Sequence, residues 1–345
     1  MRRYTTLLLT AFLLVVVVVA GSAYLAGSGH VEKGVAMREL TVYTTLPAEH
    51  AALLSDGYEK KSRVRVNFVP LSSKDLLDRA TKDDRSAALV LADERTLSEL
   101  SKRGAFAPYD SEATDAVPEE FRQEQGAWTG VWYDPVVFAV NSDYLRTLKD
   151  VPDTWTELSR GETRISMTDF VAADAAANLL YSLIAQFGDE EAYRILRGIH
   201  PQVVQYTKYL SNPVRQVGMG EADISIAVAS ETLRYVADGY PIRIIYPADG
   251  TAYTLAGAGV LASAKPDDQQ AAGEFIDWLL SDEAQTILWQ KGFDFLPTNR
   301  ATLAYQQFAG KNLVLFTQKP DFTDEQRHEF LDRWVKYIRF SKASK

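Results

Sequence analysis

From Glu39 onward, short apolar runs of period two alternate with longer stretches whose apolar residues recur every three or four positions. Leu40-Thr41-Val42-Tyr43 predicts a strand. Pro47 suits the first turn of a helix reaching about Lys61, because a missing N–H is not needed there. Val64 to Val69 places alternate residues on one face, as a half-buried strand does. Ser72 or Ser73 caps a helix bearing Leu76, Leu77 and Ala80, with Asp75 as capping-box partner of Ser72. Ala87–Ala92 reads as a third strand, and Thr96–Arg103 as a helix stopped by Gly104. Three strand–helix units in series predict a mostly parallel sheet covered on both faces.

Trp128 to Asn141 is aromatic and β-branched but interrupted by Asp134-Pro135, which predicts two strand segments with a bend between them. A bent strand of this kind passes from one lobe to another. A second α/β series follows: strand Arg164–Met167, helices Asp174–Phe187 and Glu190–Gly198, then strands Asp223–Ala229 and Ile242–Tyr246. Leu255–Ser263, apolar and small, predicts a second connecting strand. Pro266 opens an amphipathic helix, Glu283–Lys291 predicts another, and Thr323–Phe340 carries Phe330, Leu331, Trp334 and Ile338 at helical spacing.

The 345 residues, 46% hydrophobic and 24% charged, are ordinary globular composition and long enough for about two domains. The chain has no cysteine, so disulfides, thiolate metal sites, a cysteine nucleophile and a lipidated N-terminal cysteine are all excluded. Compartment is read instead from residues 1–30. Arg2 and Arg3 precede an apolar run from Leu7 to Ala20, and Ala20-Gly21-Ser22 offers a small-residue cleavage site. The segment is expected to be a signal peptide or, extended to Ala26, an N-terminal membrane anchor. Either fate exports the body to the periplasm or the outer face of the cytoplasmic membrane. The net charge is −9, and losing Arg2 and Arg3 deepens it. With no Lys/Arg run, such a surface repels phosphate backbones and anionic lipid, so nucleic acid is not an expected partner.

Motifs for nucleophilic hydrolysis, P-loop or dinucleotide binding and zinc proteolysis are missing, and His30, His50, His200 and His328 are isolated in sequence. An enzyme is not expected, nor is a cofactor or a metal. The remaining chemistry is polar clusters at strand ends, where open α/β sheets hold ligands. In the first series these are Thr44-Thr45, Ser72-Ser73 and Asp93. In the second they are Thr168, Tyr206-Thr207 with Tyr209 and Ser211 beyond them, and Ser230-Glu231. Tyr133 and Tyr253 flank the expected connections. The competing reading of each is local: a serine at a helix start caps it, and tyrosines at such places also serve as core packing.

The ordered series Leu40–Tyr43, Ser72-Ser73-Lys74-Asp75-Leu76-Leu77, Tyr133-Asp134-Pro135, Gln205-Tyr206-Thr207, Gly220-Glu221-Ala222-Asp223, Tyr246–Thr251 and the "FIDWLLSDEAQ" helix resembles type II extracytoplasmic solute-binding proteins of ABC importers. The likeness is to the branch holding ferric-iron, phosphonate and thiamine binders, and it covers nearly all of residues 39–300. It implies a two-lobed α/β fold with crossing hinge strands, closing over a small-molecule ligand and docking on a membrane permease, as a monomer. By that resemblance lobe one is 39–136 plus 255–300, and lobe two is 137–254 plus 301–340. Ferric-iron members carry two adjacent tyrosines where this chain has Ser230-Glu231, and a serine is no substitute for a phenolate on a hard trivalent ion. The implied ligand is phosphorylated, a phosphonate or polyhydroxylated. The alternatives are a ferric-iron binder and a membrane-tethered sensory domain.

Overall fold

The computed structural model of the chain describes residues 38–82, 85–307 and 312–341. The expected signal peptide or anchor, 1–30, lies outside the described residues; among those described, no helix is long and apolar enough to cross a membrane. The strands are β1 (Arg38–Thr44), β2 (Val64–Pro70), β3 (Leu89–Asp93), β4 (Phe106–Ala107), β5 (Thr129–Asn141), β6 (Ile165–Thr168), β7 (Val203–Thr207), β8 (Ile224–Val228), β9 (Ile242–Ile245), β10 (Tyr253–Leu261) and β11 (Leu296–Pro297). The longer helices are α1 (Ala48–Ser62), α2 (Ser73–Ala80), α3 (Glu94–Lys102), α4 (Trp155–Arg160), α5 (Asp174–Phe187), α6 (Asp189–Ile199), α7 (Ser211–Gly218), α8 (Ala229–Ala237), α9 (Pro266–Leu279), α10 (Asp282–Gln290) and α11 (Asp324–Trp334).

One curled sheet runs β2-β1-β3-β10-β5-β8-β6-β7, with β9 and β11 also on β5 and β4 on β10. β5 is its spine and one continuous strand, not the two segments expected from Asp134-Pro135. The interruption shows up as a change of partner instead. Residues up to Pro135 pair with β10, and from Val136 the strand pairs with β8 and then β9. Proline fits there because its missing N–H falls where one ladder ends and the next begins.

Two cores flank this changeover. The first gathers Leu89, Leu91, Trp132, Leu255 and Phe275, with α1, α3, α9 and α10 around it. The second gathers Phe138, Trp155, Leu180, Leu196 and Trp334. Each fully buried large apolar side chain contributes about 1.5–3 kcal/mol, so both halves have cores of their own. Ala229, Leu233 and Tyr246, although on second-half elements, pack against the first core. The one-turn helix Leu303–Gln306 also belongs with the first half, since Leu303 N donates to Asp282 Oδ1 at 2.6 Å at the start of α10. Beyond it, Val314 and Phe316 bond Thr251 at 3.0 and 2.9 Å; Phe316 joins the second core, while Leu313 and Leu315 pack against the first.

Helices α4, α7 and α8 are absent from the expectations, and β7 enters them only as the strand end at Tyr206-Thr207. The tail helix leaves α-geometry at Val335–Arg339 for a π-helical turn.

Candidate functional site

β1 and β3 are parallel, and β10 is antiparallel to both β3 and β5, so the first-half strands β1 and β3 run with β5 toward Asp134. In the second half β8 and β9 are antiparallel to β5, and β6 and β7 run with β8. Their C-terminal ends therefore also point to the changeover. Both sets of polar strand ends are brought to the same region by topology alone.

In the first half the hydroxyls hold loops. Thr44 is fully buried; its Oγ1 donates to Leu91 O at 2.7 Å and accepts from Leu46 N at 3.0 Å, which locks the turn from β1 into α1. Thr45 beside it is half-buried. Ser72 caps α2: its Oγ accepts from Asp75 N at 3.1 Å and donates to Asp75 Oδ2 at 2.7 Å. The expected box thus closes through the serine hydroxyl. Ser73 is exposed on the first turn of the same helix. Asp93 caps α3 by accepting from Thr96 N at 2.9 Å and Thr96 Oγ1 at 2.7 Å. Capping satisfies helix N–H groups that would otherwise lack a partner.

At the changeover, Tyr133 is buried and stacks on Phe121 with centroids 5.1 Å apart, while Tyr253 meets both rings edge-on. Burial raises the pKa of both phenols. Asn178 of α5 donates to Tyr253 O at 2.9 Å and ties the crossing strand to the second half. Ser230 donates twice to Asp134, from N to Oδ1 at 2.9 Å and from Oγ to Oδ2 at 2.6 Å. The carboxyl acts as a cap for α8 supplied from another strand. Desolvation pushes Asp134 up to about 7 against these hydrogen bonds, and the nearby Glu231 charge adds to the rise. Tyr246, with Asp134 as a charged neighbour, has a buried hydroxyl that makes no hydrogen bond to described residues. Glu231 is half-buried and ion-paired with Arg234; burial raises its pKa, and Asp294 from the first half adds to the rise.

In the second half Thr168 and Thr207 are buried, and both donate to Tyr209 O, at 3.4 and 3.0 Å. Tyr206 turns the other way: its hydroxyl bonds His200 Nδ1 at 2.8 Å, and its ring lies under the Arg339 guanidinium at 4.3 Å and against Trp334. The structure thus pairs Tyr133 with Tyr253, Ser230 with Asp134, Glu231 with Arg234 and Thr168 with Thr207 around Tyr209 O, while the Tyr206 ring is engaged by the C-terminal helical segment. Sequence reasoning missed Asp134, Tyr246, Asn178 and Asp294. The available signal was a carboxylate inside an apolar strand.

Among the described residues no group of three or more His, Asp or Glu is placed to hold a metal. A surface groove of about 750 Å³ runs along α11 past Asp324, His328, Asp332 and Tyr337 and includes none of the strand ends.

The profile of a bacterial extracellular solute-binding protein family matches residues 84–315. An uncharacterized protein of Haemophilus influenzae is 30% identical over 261 residues, which is 71% of this chain and 74% of that protein. The periplasmic binding protein AfuA of Actinobacillus pleuropneumoniae, solved with fructose-6-phosphate bound, has a TM-score of 0.66 at 21% identity, covering 88% of this chain and 99% of its own. A Bordetella ferric binding protein has a TM-score of 0.70 at 23% identity, covering 86% and 98%. At these identities the two solved structures speak for the fold, that of a two-lobed periplasmic binding protein.

Proposed function

Because the chain belongs to the bacterial extracellular solute-binding proteins, we propose that it captures a small phosphorylated or polyhydroxylated solute between its lobes and passes it to an ABC importer. The observation that carries this reading is the convergence of two sets of strand ends on one changeover in β5. A ligand held there touches both halves and so favours the closed arrangement. The lobes we assign are 39–136 with 255–307 and 137–254 with 312–340. We read the protein as a non-catalytic monomer whose partners are the solute and a membrane permease.

The phosphorylated class is favoured by the fructose-6-phosphate bound to AfuA together with the hydroxyl-rich loops at Thr45 and Ser72-Ser73. Ferric iron is the second reading, motivated by the Bordetella relative in fold. Against it, Ser230 and Glu231 stand where a phenolate pair would be needed, and they already engage Asp134 and Arg234.

A thermal-shift screen over sugar phosphates, phosphonates, polyols, polyamines and ferric ion tests the proposal. A ligand at a hundred times its Kd stabilises the native state by about 2.7 kcal/mol, so one class should raise the melting midpoint clearly. A folded protein indifferent to every class refutes solute capture, and a response to ferric ion alone selects the second reading. Intact mass of the exported protein separates a free receptor, short of about 22 to 26 residues, from a tethered sensory domain that keeps them.

A further inference from the structure

Tyr209 sits in the turn between β7 and α7 with its backbone held and its ring open. Its carbonyl accepts from Thr207 Oγ1 at 3.0 Å, Thr168 Oγ1 at 3.4 Å and Asn212 N at 3.2 Å. The two threonines are direct register partners on adjacent parallel strands, so the turn is fixed to the sheet itself. The neighbouring loop after β6 is fixed in the same manner. Asp169 N donates to Thr207 O at 2.9 Å, its Oδ1 accepts from Val171 N at 3.0 Å, and its Oδ2 accepts from Arg339 Nε at 3.0 Å.

These two braced loops present large apolar side chains to solvent: Tyr209 is 60% exposed and Val171 61%. The other strand-end tyrosines contrast with this, since Tyr133, Tyr206 and Tyr253 all pack against other rings. A ring held out by a rigid backbone loses little freedom on binding, which is what a pre-organised contact requires. Its place, beyond the C-terminal end of a parallel strand, is where open α/β sheets hold ligands. The Lys208 ammonium lies 5.4 Å from the ring centroid, and among the described residues no carboxylate forms an ion pair with it.

We propose that Tyr209, flanked by Val171, is the platform by which the second lobe selects its solute, stacking on the apolar face of a ring-bearing phosphorylated ligand. The inference rests on the solute-capture reading and adds a ring to its substrate class. Thr168 and Thr207 act as positioning residues behind the platform. Lys208 puts a cation beside it for the ligand's anionic group.

The test is calorimetric titration of the full chain, its Tyr209→Ala variant and its Tyr209→Phe variant with fructose 6-phosphate, which cyclises, and with glycerol 3-phosphate, which has no ring. Tyr209→Ala is expected to weaken fructose 6-phosphate at least tenfold and glycerol 3-phosphate less than twofold. Tyr209→Phe should stay within twofold of wild type for both, because the ring and not the hydroxyl makes the contact. Unchanged melting midpoints would confirm that an exposed side chain was removed without unfolding. Equal affinity of Tyr209→Ala and wild type for fructose 6-phosphate overturns the platform, as does an equal loss for both ligands. If wild type binds neither compound, the phosphorylated-ligand reading has failed and the platform falls with it.

Discussion

Replacing Asp134 by asparagine should remove a pH dependence that the wild-type hinge carries. The carboxyl is buried on β5, and desolvation pushes its pKa up to about 7 from the ordinary 3.8. Each unit is 1.36 kcal/mol of preference for the protonated form, so the ionised group disfavours the folded state by an amount on the order of 4 kcal/mol. The sign follows from proton counting. Between pH about 4 and 7 the folded chain holds a proton that the unfolded chain has lost, so stability falls as pH rises through that window and levels off above it. Asparagine stays neutral throughout. Its amide oxygen keeps the bond from Ser230 N, and the Ser230 hydroxyl rotates to accept from the amide nitrogen.

Urea unfolding of wild type and Asp134→Asn at intervals from pH 4.5 to 8 measures the effect. The expected difference curve moves in favour of wild type by several kcal/mol as pH falls, starting near the raised pKa of about 7 and climbing steadily toward the ordinary carboxylate range. Subtraction removes most of the background from Asp249 and Asp294, which burial also raises. Glu231 is coupled to Asp134 by charge, so a Glu231→Gln background checks that the step belongs to Asp134. Parallel curves for wild type and variant across the range would refute the reasoning, since a carboxyl that titrates normally gives no such step.

Gly273 on α9 leaves room for Tyr109: a Cβ there would stand 2.2 Å from the ring, which Asp277 anchors through a 2.8 Å hydrogen bond. Gly273→Ala should destabilise by about 1–3 kcal/mol in urea unfolding. Combined with Tyr109→Ala, it should lose little beyond Tyr109→Ala alone, because the clash is gone. Gln285→Leu should cost about 1–3 kcal/mol, because the buried Trp132 Nε1–H that Gln285 Oε1 accepts at 2.9 Å is left without a partner. Adding Trp132→Phe should then recover part of that loss, whereas two additive losses would show that the indole bond does not matter.

The two α/β series were legible because strand and helix periods survive in amphipathic segments such as α5, predicted to the residue at Asp174–Phe187. The crossing strand was legible in place and not in form. Asp134-Pro135 reads as a break from sequence, because a proline without its N–H and a carboxylate both argue against strand. Only tertiary pairing shows that the break lies in the partners and not in the backbone. The extent of β7 was not legible because it is an edge strand with an intermediate-exposed-exposed-intermediate-buried pattern, which carries no period, so only its end at Tyr206-Thr207 could be placed.

Among the candidate site residues, what the sequence could not reveal was direction. Thr44, Thr168, Thr207 and Ser230 stand at strand ends, as their sequence positions imply, yet each hydroxyl donates to an acceptor inside the protein. A buried donor that finds such an acceptor contributes about 1 kcal/mol to holding its loop. Hydroxyls at the ends of strands therefore report first on loop geometry. Substituting one of them moves a turn before it removes a ligand contact, and a loss of binding in Thr207→Val would say little about what Thr207 touches. The discriminating substitutions are those of side chains whose backbone is held by others while the side chain itself is open, and Tyr209, 60% exposed above two buried threonines, meets that condition.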